Sequence, residues 1–262
     1  MDTQTNNPAI QPMVQSQPNG FVFPTAGKLF AQAQEIYKTK FKSLIIISLI
    51  SVGASAIVGF ITNENQTYLK NLTGQALIAV PVLAFLVVIL IALISVWAFA
   101  ATIHNITSSE ASTSAGKSFS ESSHFIMPLI LTGLLAFIFI LGGFILLIIP
   151  GIIFAFWYGQ SAYVVMTESL SGKKALDRSK FYATGNIYQI FKKGFFIGLL
   201  SFLIGLATGF IFGLLGGALH LTFIPAVGNM IFQLFWTPLA SIYAFLLFQY
   251  LRQSKTSTAL PQ

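Results

Sequence analysis

FIMPLILTGLLAFIFILGGFILLIIPGIIFAFWYGQSAYVVMT, from Phe125 to Thr167, runs without a single Asp, Glu, Lys, Arg or His. A helix needs about 20 apolar residues, at about 1.5 Å each, to cross a hydrocarbon core, so this stretch is roughly two spans long. It divides at Pro150-Gly151 into Phe125 to Ile149 and Gly151 to Thr167, the second at the short end of the range. Pro removes an amide donor and Gly tolerates positive φ, which suits a tight turn in the outer leaflet. A bend within one long helix, or a re-entrant hairpin, would use the same pair and change the span count. The turn is preferred because Glu168 and the lysines after it then return to the side on which Phe125 began.

Four more apolar runs lie to either side: Ser43 to Thr62, Ala76 to Ile103, Gly194 to about Leu215, and Val227 to Leu251. The chain therefore reads as all-α, a polytopic integral membrane protein with six transmembrane helices. Its polar segments sort by charge. Lys28, Lys38, Lys40 and Lys42 precede the first span, Lys117 lies in the second loop, Lys173, Lys174, Arg178, Lys180, Lys192 and Lys193 in the fourth, and Arg252 and Lys255 after the sixth. Only Lys70 falls on the other side, in the polar turn from Asn63 to Gln75. Lys and Arg collect in cytoplasmic loops, which predicts cytoplasmic N- and C-termini in a plasma membrane.

Composition excludes other classes. Charged residues make up 8% against about 25% in soluble domains, mean hydropathy is +0.79, and 26 Phe with 55% hydrophobic content could not be hidden in a soluble fold of 262 residues. The net charge of +7 fits an anionic leaflet. It does not point to nucleic acid, because the cations flank apolar spans and no base-reading motif or stacking platform accompanies them. With no Cys there is no disulfide framework or thiolate metal site. Residues 1–24 are rich in Gln, Asn and Pro and are expected to be disordered, with no cleavable signal peptide. Residues 25–252 form the six-span membrane domain and 253–262 a flexible tail.

Three basic segments share a pattern. Thr25, Ser114 and Ser171 each stand three residues before a Lys, at Lys28, Lys117 and Lys174, as a helix N-cap does. After Thr25 the apolar stripe is Leu29, Phe30, Ala33, Ile36 and Tyr37. At a constant offset of 146 it is Ala175, Leu176, Ser179, Tyr182 and Ala183, and the middle copy, Ser118, Phe119, Ser122, Phe125 and Ile126, is weaker. Each segment precedes two spans. The economical reading is three units, each an amphipathic helix in the headgroup region followed by a transmembrane hairpin. Lys28, Lys117, Lys173, Lys174, Arg178 and Lys180 are then the expected lipid headgroup contacts, at about 1 kcal/mol per cation.

From Leu146 to Lys193 the chain carries Ile149-Pro150-Gly151-Ile152-Ile153, a span ending in Val164, Val165 and Glu168, then Ser171-Gly172, Ala175-Leu176, Arg178-Ser179 and Gly185-Asn186 before Ile190-Phe191. This stretch resembles the membrane domain of bacterial glycerophosphoryl diester phosphodiesterases and related stand-alone six-helix membrane proteins of unknown function. The resemblance implies a six-span, three-unit membrane module of a bacterial plasma membrane. Phosphodiesterase activity does not carry over, because the chain has no acidic, His-rich soluble portion.

The remaining motifs are weighed by their chemistry. Gly198, Gly205, Gly209, Gly213 and Gly217, with Gly194 and Ser201, recur almost every four residues in the fifth span, as small residues do where helices approach closely in lipid. Their partner is a helix of this chain, such as the sixth, or of a second copy. No ionisable residue sits at a span centre, which argues against a proton-driven pump. Glu168 is expected at the interface, paired with a nearby Lys, and His104 and His124 are read as solvated side chains of a Ser-rich loop. Gly159-Gln160-Ser161 with His220 has the composition of a serine nucleophile and base, but the two fall toward opposite faces. The Asn65, Asn71 and Asn105 sequons read as chance matches. No catalytic residue, cofactor or metal is expected. The expected role is a non-enzymatic membrane module contacting membrane lipids, a partner membrane protein or another copy of itself. The alternative is a small transporter with a pathway lined by Gln160, Asn229 and Gln233.

Overall fold

The computed structural model describes residues 22–64, 76–108, 113–221 and 223–259. Among them all regular structure is helical. In chain order the helices are α1 (Ala26–Thr39), α2 (Phe41–Glu64), α3 (Ala76–Thr107), α4 (Ala115–Ser122), α5 (Ile126–Leu146), α6 (Ile148–Tyr158), α7 (Ser161–Glu168), α8 (Gly172–Ala183), α9 (Ile187–Leu219) and α10 (Ile224–Ala259). A single 3-10 turn, Ser123–Phe125, joins α4 to α5. Five stretches are long and apolar enough to cross a membrane, or six if the bent pair of α1 and α2, meeting at 92°, counts as one.

The short helices begin where the sequence predicts. Thr25 Oγ1 accepts from the Lys28 amide and Ser114 Oγ from the Lys117 amide, both at 3.3 Å. Ser171 holds the N-cap position of α8 without making that bond. Gly172 turns through φ +59 and its amide donates instead to Thr132 Oγ1 of α5 at 2.8 Å, so a neighbouring span anchors α8. The amphipathic stripes are also real: Leu29 and Ala33 of α1 are fully buried, as are Ala175, Leu176, Ser179, Tyr182 and Ala183 of α8. What covers them departs from expectation. They pack on other helices of the protein, α1 on α10 and α8 on α5, α6 and α7, which leaves the opposite, charged faces exposed.

The reversal between α5 and α6 falls at Leu147, which is extended at φ −164 and ψ 152, not at Pro150-Gly151. Pro150 lies in the first turn of α6, where a missing N–H breaks no helical bond. Gly151 serves packing: a Cβ there would lie 2.5 Å from Phe144 Cγ, and one on Gly143 would lie 2.9 Å from Gly151 Cα. These two glycines let α5 and α6 touch along their backbones. The predicted fourth span is itself interrupted at Gly159-Gln160, between α6 and α7.

The packed core sits at the end of the bundle that carries the basic residues. Leu44 of α2, Ala100, Ile103 and Ile106 of α3, Val164 and Val165 of α7, and Ile242, Tyr243, Phe245, Phe248 and Leu251 of α10 are buried there, around α10. Toward the other end Leu83 and Phe85 of α3, Ile145 to Ile149 at the α5–α6 reversal, and Phe202 and Phe210 of α9 are exposed. That much contiguous apolar surface is an aggregation liability in water; acyl chains are its natural solvent. α10 also continues helical through Ala259, so most of the predicted flexible tail is ordered, and Ser254 accepts a bond from Asn186 at 3.2 Å. The predicted N-terminal tail, the polar turn with Lys70, and the Asn65 and Asn71 sequons lie wholly or almost wholly outside the described residues.

Candidate functional site

Among the described residues, charged groups gather at the basic end. Lys28, Lys117, Lys173, Lys174, Arg178 and Lys180, the predicted headgroup contacts, are all exposed there. Lys180 Nζ lies 4.2 Å from the centre of the Trp157 ring. Two other lysines of the same count are buried and serve the fold. Lys40, 5% exposed, donates Nζ to the Asn105 carbonyl and, at 2.9 and 3.0 Å, to the carbonyl and hydroxyl of Ser108. It thereby caps the C-terminal carbonyls of α3, where a cation also meets the negative end of the helix dipole. Lys193, 3% exposed, donates to Gln189 Oε1 at 2.6 Å and stands 4.8 Å from the Phe23 ring centre.

Glu168 ends α7 and forms the centre of a charged clamp. Its carboxylate accepts Arg178 Nε at 2.9 Å and Tyr182 Oη at 2.5 Å, both from α8, and lies 3.6 Å from Arg252 Nε of α10. The sequence reading gave Glu168 a lysine; its partners are arginines, whose planar fork suits a carboxylate better. Burial, with the bond to Glu168, raises the Tyr182 phenol to about 12. For Arg178 burial works against the charge, but the bond to Glu168 outweighs it and the pKa rises. Ser179 occupies a stripe position because its hydroxyl donates to the Trp157 carbonyl at 2.6 Å, close to where the helix is interrupted after Tyr158.

His104 is on α3, not in a loop, and its Nε2 is 3.2 Å from Glu121 of α4. His124 is exposed beside Phe125, ring centres 4.0 Å apart. Asn105 is fully buried, donating to the Thr113 carbonyl and Ser118 Oγ at 3.0 Å, which leaves its sequon unreachable. Ser161 is buried and His220, a left-handed C-cap of α9, is exposed, with no bond between them.

The glycine row of α9 does not form a seam inside the chain. A Cβ on Gly205 would meet the Phe232 ring at 3.7 Å, whereas Gly198, Gly209, Gly213 and Gly217 have nothing within 4 Å. A helix turns about 100° per residue, so a strict four-residue row winds about 40° further round with every step. The α9–α10 seam instead follows Ser201, Gly205, Phe212 and Gly216, spaced four, seven and four. Trp236 Nε1 donates to Ser201 Oγ at 2.7 Å, Gly228 seats against Phe212, and Gly216 meets Pro225. Gly143 and Gly228 are packing glycines that the sequence does not single out, and Gly151, expected in a turn, is a third; none belongs to a regular row.

The polar residues proposed for a pathway do not converge by hydrogen bonding. Gln233 Nε2 donates to Asn229 Oδ1 at 3.3 Å, one turn apart on α10. Gln160 is buried at the α6–α7 interruption, its Oε1 without a partner.

Fold and surface together define the class: an all-helical chain whose long apolar helices suit a membrane, with its charge gathered at one end. No family model matches the sequence, and no curated protein or solved structure matches it significantly.

Proposed function

We propose that the chain is a non-enzymatic integral membrane module of three interface-helix-plus-hairpin units, binding lipid or a partner protein at its basic end, which faces the cytoplasm of a bacterial cell. The observation that carries this reading is a filled junction between the units. Tyr163 of α7 lies 5.8 Å from Phe99 of α3, 6.0 Å from Phe245 and 5.7 Å from Phe248 of α10, ring centre to ring centre. Aromatic residues from the second span of each unit, one from α3, one from α7 and two from α10, thus meet where a pathway between the units would run.

The repeat gains support from register. Ala26 and Gly172 begin α1 and α8, and Phe41 and Ile187 begin α2 and α9, each pair 146 residues apart. Lys40 and Asn186 share that offset, as do their partners Ser108 and Ser254. Each short helix also packs on the last span of the preceding unit: α4 on α3, α8 on α6 and α7, and α1 back on α10. The ring closes.

Gln160 favours the runner-up reading, since an unpartnered amide oxygen at a helix interruption is what a small-solute site needs. Two measurements separate the readings. Detergent-purified protein should retain phosphatidylglycerol over phosphatidylcholine in native mass spectrometry, and proteoliposomes should show no ion or solute flux above protein-free vesicles. Protein-dependent flux refutes the module, and absence of any lipid preference refutes its lipid-binding form.

A further inference from the structure

We infer that Arg178, Arg252 and Lys255 form a site for the phosphate of an anionic phospholipid, built around the exposed ring of Phe181. This rests on the lipid reading above and assigns its headgroup position. Arg178 Cζ stands 5.5 Å and Lys255 Nζ 5.4 Å from the Phe181 ring centre. Arg252 joins them through Glu168, whose carboxylate both arginines approach by Nε. Three cations with one carboxylate leave two positive charges uncompensated in this corner. Glu168 faces inward at 11% exposure, whereas the Arg178 and Arg252 side chains keep 46% and 42% of their surface open.

Helix geometry places these cations; they did not arrive by flexible side chains alone. Arg178 comes from α8, fixed by its buried stripe, while Arg252 and Lys255 come from the last turns of α10, held there by the Asn186–Ser254 bond. Like charges held around one ring repel, and an anion bridging them removes that repulsion. A phosphodiester offers two non-bridging oxygens, which suits guanidinium and ammonium donors arranged on one surface. The aromatic component selects a lipid over a free anion. Phe181 is 49% exposed between the two cations, and α9, which follows, exposes Tyr188, Phe191 and Phe195. Exposed aromatic rings at a charged boundary are the mark of the membrane interface, and free phosphate needs none of them.

Native mass spectrometry of the full chain, reading bound phosphatidylglycerol against phosphatidylcholine, tests the site. Lys255→Gln is the first variant, because Lys255 takes no part in the Glu168 clamp and its loss leaves the fold intact, checked by unchanged melting in lipid-free detergent. Lys38→Gln, on α1, removes an exposed cation that belongs to neither this site nor the predicted headgroup contacts. Lys255→Gln should lower phosphatidylglycerol retention about fivefold, the loss carried by one cation near an anionic surface, while Lys38→Gln changes it less than about twofold. Equal losses from both mean diffuse attraction and overturn the site while leaving the lipid reading standing. Wild-type protein with no preference for phosphatidylglycerol refutes the lipid reading itself. Displacement of the bound lipid by millimolar inorganic phosphate assigns the cations to a free anion and overturns the proposal.

Discussion

Adding one methyl group at Gly228 should destabilise the protein, whereas adding a whole isobutyl group at Gly209 should not. A Cβ at Gly228 would lie 2.3 Å from Phe212 Cγ and 2.6 Å from Phe212 Cβ. The second atom is one bond from the α9 backbone, so rotating the ring gives no relief and the two helices must separate by about an ångström, an overpacking strain of about 1–3 kcal/mol. Replacing glycine by alanine within a helix returns about 1 kcal/mol. Taking the upper range of strain, Gly228→Ala should lose about 2 kcal/mol net. Gly209 has open space around it, so Gly209→Leu should stay within about 0.5 kcal/mol of wild type, as surface substitutions do. Reversible unfolding in mixed detergent micelles measures both. If Gly209→Leu proves the more damaging, the seam assigned to α9 and α10 is wrong. If it changes the mass in solution but not the unfolding energy, the open row packs a second copy.

Tyr182→Phe removes the hydroxyl bonded to the Glu168 carboxylate and should cost about 1.5–3 kcal/mol, as hydrogen bonds to charged groups do. The Tyr182 pKa is raised from 10.0 to about 12, so the stability this proton confers is fully present below pH about 10 and is lost as pH rises through about 12. The gap between wild type and Tyr182→Phe, followed by unfolding across that window, should close; a gap independent of pH would exclude the clamp as its source. Lys40→Met leaves the Asn105 and Ser108 carbonyls without their buried donor and should cost about 1–3 kcal/mol. Amide exchange should then accelerate in the last turn of α3, and unchanged protection there would count against the cap.

Local chemistry was the most legible part of the sequence. A cap needs only residues three apart, so Thr25 and Ser114 could be read directly, and a buried stripe repeats with the helix period, so α1 and α8 were visible. What covered the stripes was not, because periodicity identifies a buried face without naming its neighbour. Glu168 shows the same limit: Arg178 was near enough in sequence to suspect, but Arg252 reaches it only because α10 extends past the apolar run. That extension was hidden for a physical reason. Hydropathy ends a span where polar residues begin, yet Asn105 and Ser254 are polar residues satisfied inside the fold, so α3 and α10 continue beyond the expected boundaries. The glycine row reads as composition suited to close packing, in this chain or against a second copy; within the chain only Gly205 of the row's Gly198, Gly205, Gly209, Gly213 and Gly217 meets a neighbouring helix, at Phe232.

The charge asymmetry that oriented the chain mixes two kinds of cation, and separating them makes the lipid reading sharper. Lys40 and Lys193 contribute to the count on the basic side, yet both are buried with their ammonium groups bonded to protein oxygens. They are unavailable to a headgroup, and their substitution should alter stability without altering lipid preference. The residue 146 positions after Lys40 is Asn186, which reaches Ser254 with a neutral amide. A charge is therefore not required for that link; the position needs a donor long enough to tie the end of a short helix to a long one. By contrast Arg178 and Lys255 keep exposed surface beside an aromatic ring at the place where two helices converge. Among the described residues no acceptor is bonded to Lys255, and Glu168 accounts for only part of Arg178. The buried cations Lys40 and Lys193 hold the bundle together at its basic end, and the cations that keep exposed surface define the face proposed for an anionic lipid.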